Sequence, residues 1–298
     1  MEPTTTGVAR NGDTELYYET FDPSDADADT LLLLNGLGSQ LNSYLPEFCA
    51  RFVDAGFRTI RFDNREVGLS SKTEGPPPNM KKVIAATRAR ESAGLPYGLP
   101  DMANDAIAVL DAAGAEAAHV WGMSMGGMIV QQMAVDHPER VLSLTSVMST
   151  TGNPKVGGAT PEAMAVLTTA PPMDREGAIE HSVHGREVIG GSLYDEAWSR
   201  ELGEAAYDRC FHPLGTAFQM AAITSAGNRT SSLEAITAPT TVIHGRMDPL
   251  IQLSGGEATA AAISDAKLVV YDEMGHDIPE PLWDSYVAEL KELAGRAR

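Results

Sequence analysis

Apolar and polar positions along the chain follow two periods, and the way these periods alternate is its first structural signal. Val8 and Ala9 lead to the turn pair Asn11-Gly12, and Glu15-Leu16-Tyr17-Tyr18-Glu19 follows; this predicts a hairpin over residues 7–22. Thr30 and the four leucines at 31–34 are apolar on both faces, as a strand covered on both sides should be. The bend Asn35-Gly36-Leu37-Gly38 comes next. Leu45, Phe48, Phe52 and Val53 recur at helical spacing over 43–55, and 57–62 reads as a strand. Residues 75–100, with Gly75-Pro76-Pro77-Pro78 and Pro96, are expected to be irregular. Met102, Ile107 and Leu110 mark a helix over 99–113 ending at Gly114. A strand over 118–121, a helix over 126–135 stopped by Asp136-His137-Pro138, and a strand over 141–148 complete this stretch.

Strands alternating with helices imply a mostly parallel sheet covered on both faces. The alternation breaks near Thr150. Helical stretches at 161–167, 178–183, 195–207 and 217–226 then follow without convincing strands between them. It resumes with a strand at 240–243, a last strand at 267–271 and a closing helix over 281–294. The expected organisation is an α/β core made of 1–149 and 236–298, interrupted by a helical cap at 150–235.

Composition narrows the class. The 298 residues are 43% hydrophobic and 21% charged, as in ordinary folded chains. Asp and Glu number 41 against 22 Lys and Arg, a net charge of −19, which repels nucleic-acid phosphates and anionic membrane faces. Six of the basic residues are Lys, so the acidic surface reads either as plain solubility or as salt adaptation. Cys49 and Cys210 form neither a disulfide framework nor a metal-ligand spacing. No apolar run reaches membrane-spanning length, and the first residues lack a signal-peptide pattern. The expectation is a soluble, cytoplasmic protein without nucleic-acid or membrane partners, monomeric or homodimeric.

The chemistry centres on Gly122-Met123-Ser124-Met125-Gly126. This G-x-S-x-G is weak evidence in isolation, but an apolar strand leads into it and a helix leads out, as in a nucleophile elbow whose glycines permit a sharp turn. A serine attacks only when a base takes its proton, and that base needs an orienting acid. In this arrangement the chain order is Ser, acid, His. Asp248, in the loop after the strand at 240–243, is the expected acid. Of seven histidines, His276 lies after the last strand and before the last helix, where the base belongs. Asp272 and Asp277 are too near it in sequence to be preferred as its acid. His119, His137 and His244 read as structural, His212 falls in the cap, and the His181/His184 pair lacks a third metal ligand. Backbone N–H groups of Leu37, in the glycine-flanked bend, and of Met125, after the nucleophile, are the expected oxyanion-hole donors.

These pieces resemble the α/β-hydrolase superfamily over nearly the whole chain, and within it the branch of serine esterases that includes aclacinomycin methylesterase. Gly36-Leu37-Gly38, residues 61–70 (Arg-Phe-Asp-Asn-Arg-Glu-Val-Gly-Leu-Ser), 118–127 and Gly275-His276 carry the resemblance. It implies an α/β-hydrolase fold with a mostly parallel eight-stranded sheet, and ester hydrolysis through an acyl-enzyme. It also implies that 62–70 braces the elbow and the oxyanion bend. Two departures stand out: Asn35 where many relatives have His, and Glu66 where many have Gly. Serine at the elbow argues against dehalogenases and epoxide hydrolases, which use Asp there. Met125 argues against proline iminopeptidases, which usually have Trp.

The expected activity is therefore hydrolysis of small to medium, largely apolar carboxylic esters, with a small-molecule ester as partner and without cofactor or metal. The same triad would also serve a lactone, a carbon–carbon bond beside a ketone, or perhydrolysis. A ligand-binding receptor on a hydrolase scaffold is the reading from another class. Met123, Met164, Met173 and Met220 either line a flexible apolar pocket or simply pack the core.

Overall fold

The computed structural model describes residues 1–297; Arg298, the last residue of the expected core, lies outside the described residues. β1 (Thr5–Asn11) and β2 (Thr14–Phe21) form the expected hairpin, turning through Gly12 at φ 58°. There follow β3 (Thr30–Leu34), α1 (Pro46–Asp54), β4 (Arg58–Phe62), α2 (Met80–Ala89), α3 (Leu99–Ala112), β5 (Ala118–Met123), α4 (Met125–Asp136) and β6 (Val141–Val147). Five helices come before the next strand: α5 (Pro161–Thr168), α6 (Arg175–Ile189), α7 (Glu196–Arg209), α8 (Leu214–Ala226) and the short α9 (Thr230–Leu233). β7 (Thr240–Gly245), α10 (Ser254–Ala262), β8 (Lys267–Tyr271) and α11 (Trp283–Arg296) close the chain.

The eight strands form one sheet in the order β1-β2-β4-β3-β5-β6-β7-β8. β2 runs antiparallel to both its neighbours, and the other pairings are parallel. Parallel pairing demands crossovers, and the crossover helices cover both faces of the sheet. Every residue of β3, β5 and β7 is accordingly buried. The four leucines of β3 divide by the two-residue period of a strand. Leu32 and Leu34 join Val120, Ile129 and Leu110 on one side, while Leu31 and Leu33 join Trp121, Phe48 and Tyr286 on the other. Each such leucine contributes roughly 1.5–3 kcal/mol by leaving water.

One sequence expectation fails in the stretch 75–100, which holds α2 rather than irregular chain. Asn79 caps it, its side chain accepting from Lys82 N, and the helix packs on α8. Val83 is its one buried residue, so no apolar stripe advertises the helix, and its packing partner lies far along the chain. Among the described residues no helix is long and apolar enough to cross a membrane.

Candidate active site

Ser124 sits between β5 and α4, with φ 54° and ψ −117°. A non-glycine residue held at positive φ stores about 1–3 kcal/mol, which the surroundings must offset. Two bonds hold it: Ser124 N donates to Val147 O at 2.9 Å, and Ser149 Oγ donates to Ser124 O at 2.8 Å. The elbow glycines do not supply the turn, as the sequence suggested, because the serine itself takes the positive φ. Their role is room. A Cβ on Gly122 would stand 2.2 Å from Gly126 O, and one on Gly126 would stand 2.2 Å from Leu34 O. α4 therefore approaches β3 at backbone contact.

Asp248 follows β7, and its side chain is shut off from solvent. Its Oδ1 accepts from Leu250 N at 2.9 Å and from Ile251 N at 2.8 Å, and its Oδ2 lies 2.7 Å from His276 Nδ1. An ionised carboxylate accepts only, so the proton between them is assigned to Nδ1, which leaves His276 Nε2 free to take another. His276 lies in the loop after β8, and its backbone N donates to Ile189 O, at the end of α6, at 2.6 Å. The structure brings Asp248 and His276, the acid and base expected from the sequence, into direct contact. Among the described residues Ser124 Oγ makes no hydrogen bond to His276.

A second imidazole touches the same acid. His244, at the end of β7, is fully buried, donates from Nε2 to Ile251 O at 2.7 Å, and lies 3.6 Å from Asp248 Oδ2. Burial holds its pKa below the ordinary histidine value, partly offset by the Ile251 carbonyl and Asp248. It stands neutral and braces the loop that presents Asp248.

The bend at Leu37 passes close to Ser124: a Cβ on Gly36 would lie 3.4 Å from Ser124 Cβ and 3.9 Å from its Oγ. Met125 is the first residue of α4, where a helix leaves its N–H groups without internal acceptors. Among the described residues no protein acceptor takes the N–H of Leu37 or of Met125.

The stretch 62–70 is hydrogen-bonded to the bend, and its Phe62 shares a buried apolar cluster with Met125 of the elbow. Asn64 Nδ2 donates to Asn35 O at 3.2 Å. Asp63, fully buried, accepts from Leu41 N at 2.8 Å and Leu69 N at 2.9 Å, and pairs with Arg209 of α7 at 2.7 Å. Among the described hydrogen bonds none joins 62–70 to 122–127. Glu66 takes φ 79°, a conformation that favours glycine, and its carboxylate accepts from Thr73 N at 3.0 Å. Gln219 of α8, unforeseen in the sequence, bridges Gly38 N and Arg65 O at 2.8 Å each. The sequence marks it only as the one polar residue in the otherwise apolar run Ala217-Phe218-Gln219-Met220-Ala221-Ala222, which does not name its partners; in the structure it is fully buried.

The four candidate methionines do not gather into one wall. Met123 belongs to the apolar cluster around Trp121, Met220 is half-buried on α8, and Met164 and Met173 are 45% and 71% exposed. A cleft of about 320 Å³, lined by Ser192, Tyr194, Trp198 and Glu280, lies beside the His276 loop rather than over Ser124. Among the described residues no group of three His, Cys, Asp or Glu could hold a metal ion.

Known proteins agree with this architecture. Rhodomycin D methylesterase DnrP of Streptomyces peucetius is 30% identical over 93% of this chain and 95% of its own length. Rhodomycin D methylesterase DauP of Streptomyces sp. (strain C5) is 31% identical over 88% of this chain and 89% of its own. The crystal structure of the enol-lactonase from Burkholderia xenovorans LB400 superposes with a TM-score of 0.72 at 22% identity, covering 97% of this chain and 100% of that one, a likeness of fold. The sequence model described as the alpha/beta hydrolase fold matches residues 29–183. With more than half the chain matched, and methylesterases related over nearly its full length, the protein belongs to the α/β-hydrolase family.

Proposed function

We propose that the protein is a serine carboxylesterase that hydrolyses small to medium, largely apolar esters through an acyl-enzyme. The single observation that carries this reading is the 2.7 Å contact between Asp248 and His276 at the same strand ends as the positive-φ Ser124. His276 Nε2 takes the proton of Ser124 as Oγ attacks the ester carbonyl. The N–H groups of Leu37 and Met125 receive the oxyanion, each such donor accounting for roughly 3 kcal/mol of barrier lowering. The alcohol leaves with the proton from His276. Water, deprotonated by the same imidazole, then cleaves the acyl-enzyme and restores Ser124. Asp248 stabilises the imidazolium throughout and holds its tautomer. No step requires a cofactor.

In this reading 150–235 is a cap that shapes substrate choice, attached through the Arg209–Asp63 and Gln219–Gly38 contacts. The methylesterase relatives make methyl carboxylates the first physiological class to test. Lactones, carbon–carbon bonds beside a ketone, and peroxide as acyl acceptor belong on the same panel, because the triad would serve each. The test is hydrolysis of p-nitrophenyl butyrate by the wild type and by Ser124→Ala. Turnover lost by several orders of magnitude in the variant upholds the proposal. Turnover that survives the substitution overturns it. Two folded proteins that are both inert mean either that the cap excludes simple esters or that the protein is a receptor, and ligand screening separates these.

A further inference from the structure

Gln219 is fully buried on α8, inside the segment between β6 and β7, yet both ends of its amide are spent on loops of the core. Its Oε1 accepts from Gly38 N at 2.8 Å, and its Nε2 donates to Arg65 O at 2.8 Å. The partners dictate these roles, because a backbone N–H only donates and a carbonyl only accepts. Gly38 is bonded directly to Leu37. The first turn of α8 lies against the same two loops: a Cβ on Gly38 would stand 3.1 Å from Thr216 Oγ1, and one on Gly215 would stand 2.5 Å from Glu66 O. Any shift of α8 is therefore transmitted to the bend that carries Leu37.

We infer that Gln219 is a positioning residue of the oxyanion hole, so that the helical insertion sets the catalytic geometry as well as covering the substrate. This rests on the esterase reading given above. Gln219 does not touch the substrate; it fixes the peptide plane after Leu37 and thereby aims the Leu37 N–H. The contribution appears when the carbonyl carbon becomes tetrahedral and its oxygen takes on negative charge, and so in kcat rather than in KM.

Gln219→Glu is isosteric and keeps an acceptor for Gly38 N, but it loses the donor to Arg65 O. Gln219→Leu loses both. The measurements are kcat and KM on p-nitrophenyl butyrate, and the Kd of butylboronic acid, which forms a tetrahedral adduct on Ser124. Thermal unfolding establishes that each variant is folded, and Gln219→Glu alone decides if Gln219→Leu does not fold. A misaimed rather than absent donor predicts a kcat loss of about 10–100-fold, larger for Leu than for Glu. Boronate affinity should weaken by a similar factor, with KM within about threefold of wild type. A folded Gln219→Glu with kcat and boronate affinity within twofold of wild type overturns the inference, as does a loss confined to KM. Ser124→Ala is assayed alongside. If it retains turnover, the esterase reading itself has failed; if it is dead while the Gln219 variants are fully active, only the positioning role has.

Discussion

Gly126→Ala tests the idea that backbone contact between α4 and β3 sets the geometry of the nucleophile. The added Cβ would lie 2.2 Å from Leu34 O, 2.6 Å from Leu34 C and 2.8 Å from Asn35 O. Ordinary contact begins near 3.4 Å, so the helix must retreat by about 1.2 Å, the difference between 3.4 and 2.2 Å. All three obstacles are backbone in a fully buried strand or the bend after it, and none is a flexible side-chain end that could swing away. The retreat carries Ser124 and Met125 away from the bend at Leu37. A misplacement of about 1 Å costs roughly 100-fold in rate, whereas the accompanying overpacking costs about 1–3 kcal/mol of stability. A chain of this size tolerates that loss with a drop of several degrees in Tm. Activity should therefore collapse in a protein that remains folded. The control is Gly12→Ala, where φ is 58° and no atom lies within 4 Å of the added Cβ. It should cost about 1 kcal/mol and leave p-nitrophenyl butyrate hydrolysis unchanged. A folded Gly126→Ala with kcat within threefold of wild type would refute the reasoning, because the contact would then not govern the site.

Asp248→Asn should lower kcat by about 10⁴-fold with little change in Tm: the amides of Leu250 and Ile251 require an oxygen, which turns the new NH2 toward His276 Nδ1 and spoils the tautomer. A loss below tenfold in steady-state assays would point to Asp272 or Asp277 as the acid. Burial depresses the pKa of His244, so the unfolded chain binds the extra proton more readily, and stability declines as pH falls through the ordinary imidazole value of about 6.5. His244→Gln keeps an N–H for Ile251 O and does not titrate, so its Tm should fall less steeply between about pH 7 and pH 5; an unchanged slope counts against the assignment. Arg209→Leu strands the fully buried Asp63 carboxylate and should cost about 3 kcal/mol, read as a shift in urea midpoint. An unshifted midpoint would mean that the pair contributes nothing to the fold.

Periodicity carried most of the fold because the sheet is covered on both faces. A strand such as 31–34 must then be apolar throughout, and the helices beside it need a clear stripe. α2 escaped because it buries Val83 and little else. The proximity of Asp248 and His276 could be anticipated for a different reason: in this topology the proposed acid and base each follow a particular strand, and few residues of the right type occupy those loops. What could not be read was the second layer of polar contacts. Gln219 reaches Gly38 across 181 positions, and Arg209 reaches Asp63 across 146; no local pattern encodes such a pairing. The methionines were ambiguous for a related cause. Methionine suits core and pocket equally, and Met173 turns out to be 71% exposed.

The order of the strands explains why the site lies where it does. From β3 the chain moves outward to β4, then returns past β3 to place β5 on its other side. The connections leaving β3 and β5 therefore diverge. α1 packs with the apolar cluster around Trp121, while α4 packs with the cluster around Val120 on the opposite face. A crevice must open where they part, at the carboxyl ends of the two strands, which is where open α/β sheets place their ligands. Leu37 and Met125 begin those diverging connections, so the two proposed oxyanion donors flank the crevice from opposite sides. β6, β7 and β8 continue in order beyond β5, which brings Asp248 and His276 in from the other flank. The strand that ends at Ser124, the proposed nucleophile, thus stands between the proposed oxyanion donors and the proposed base. On this argument the placement follows from connectivity, and the polar clasps through Gln219, Asp63 and His244 supply the last ångström that connectivity cannot.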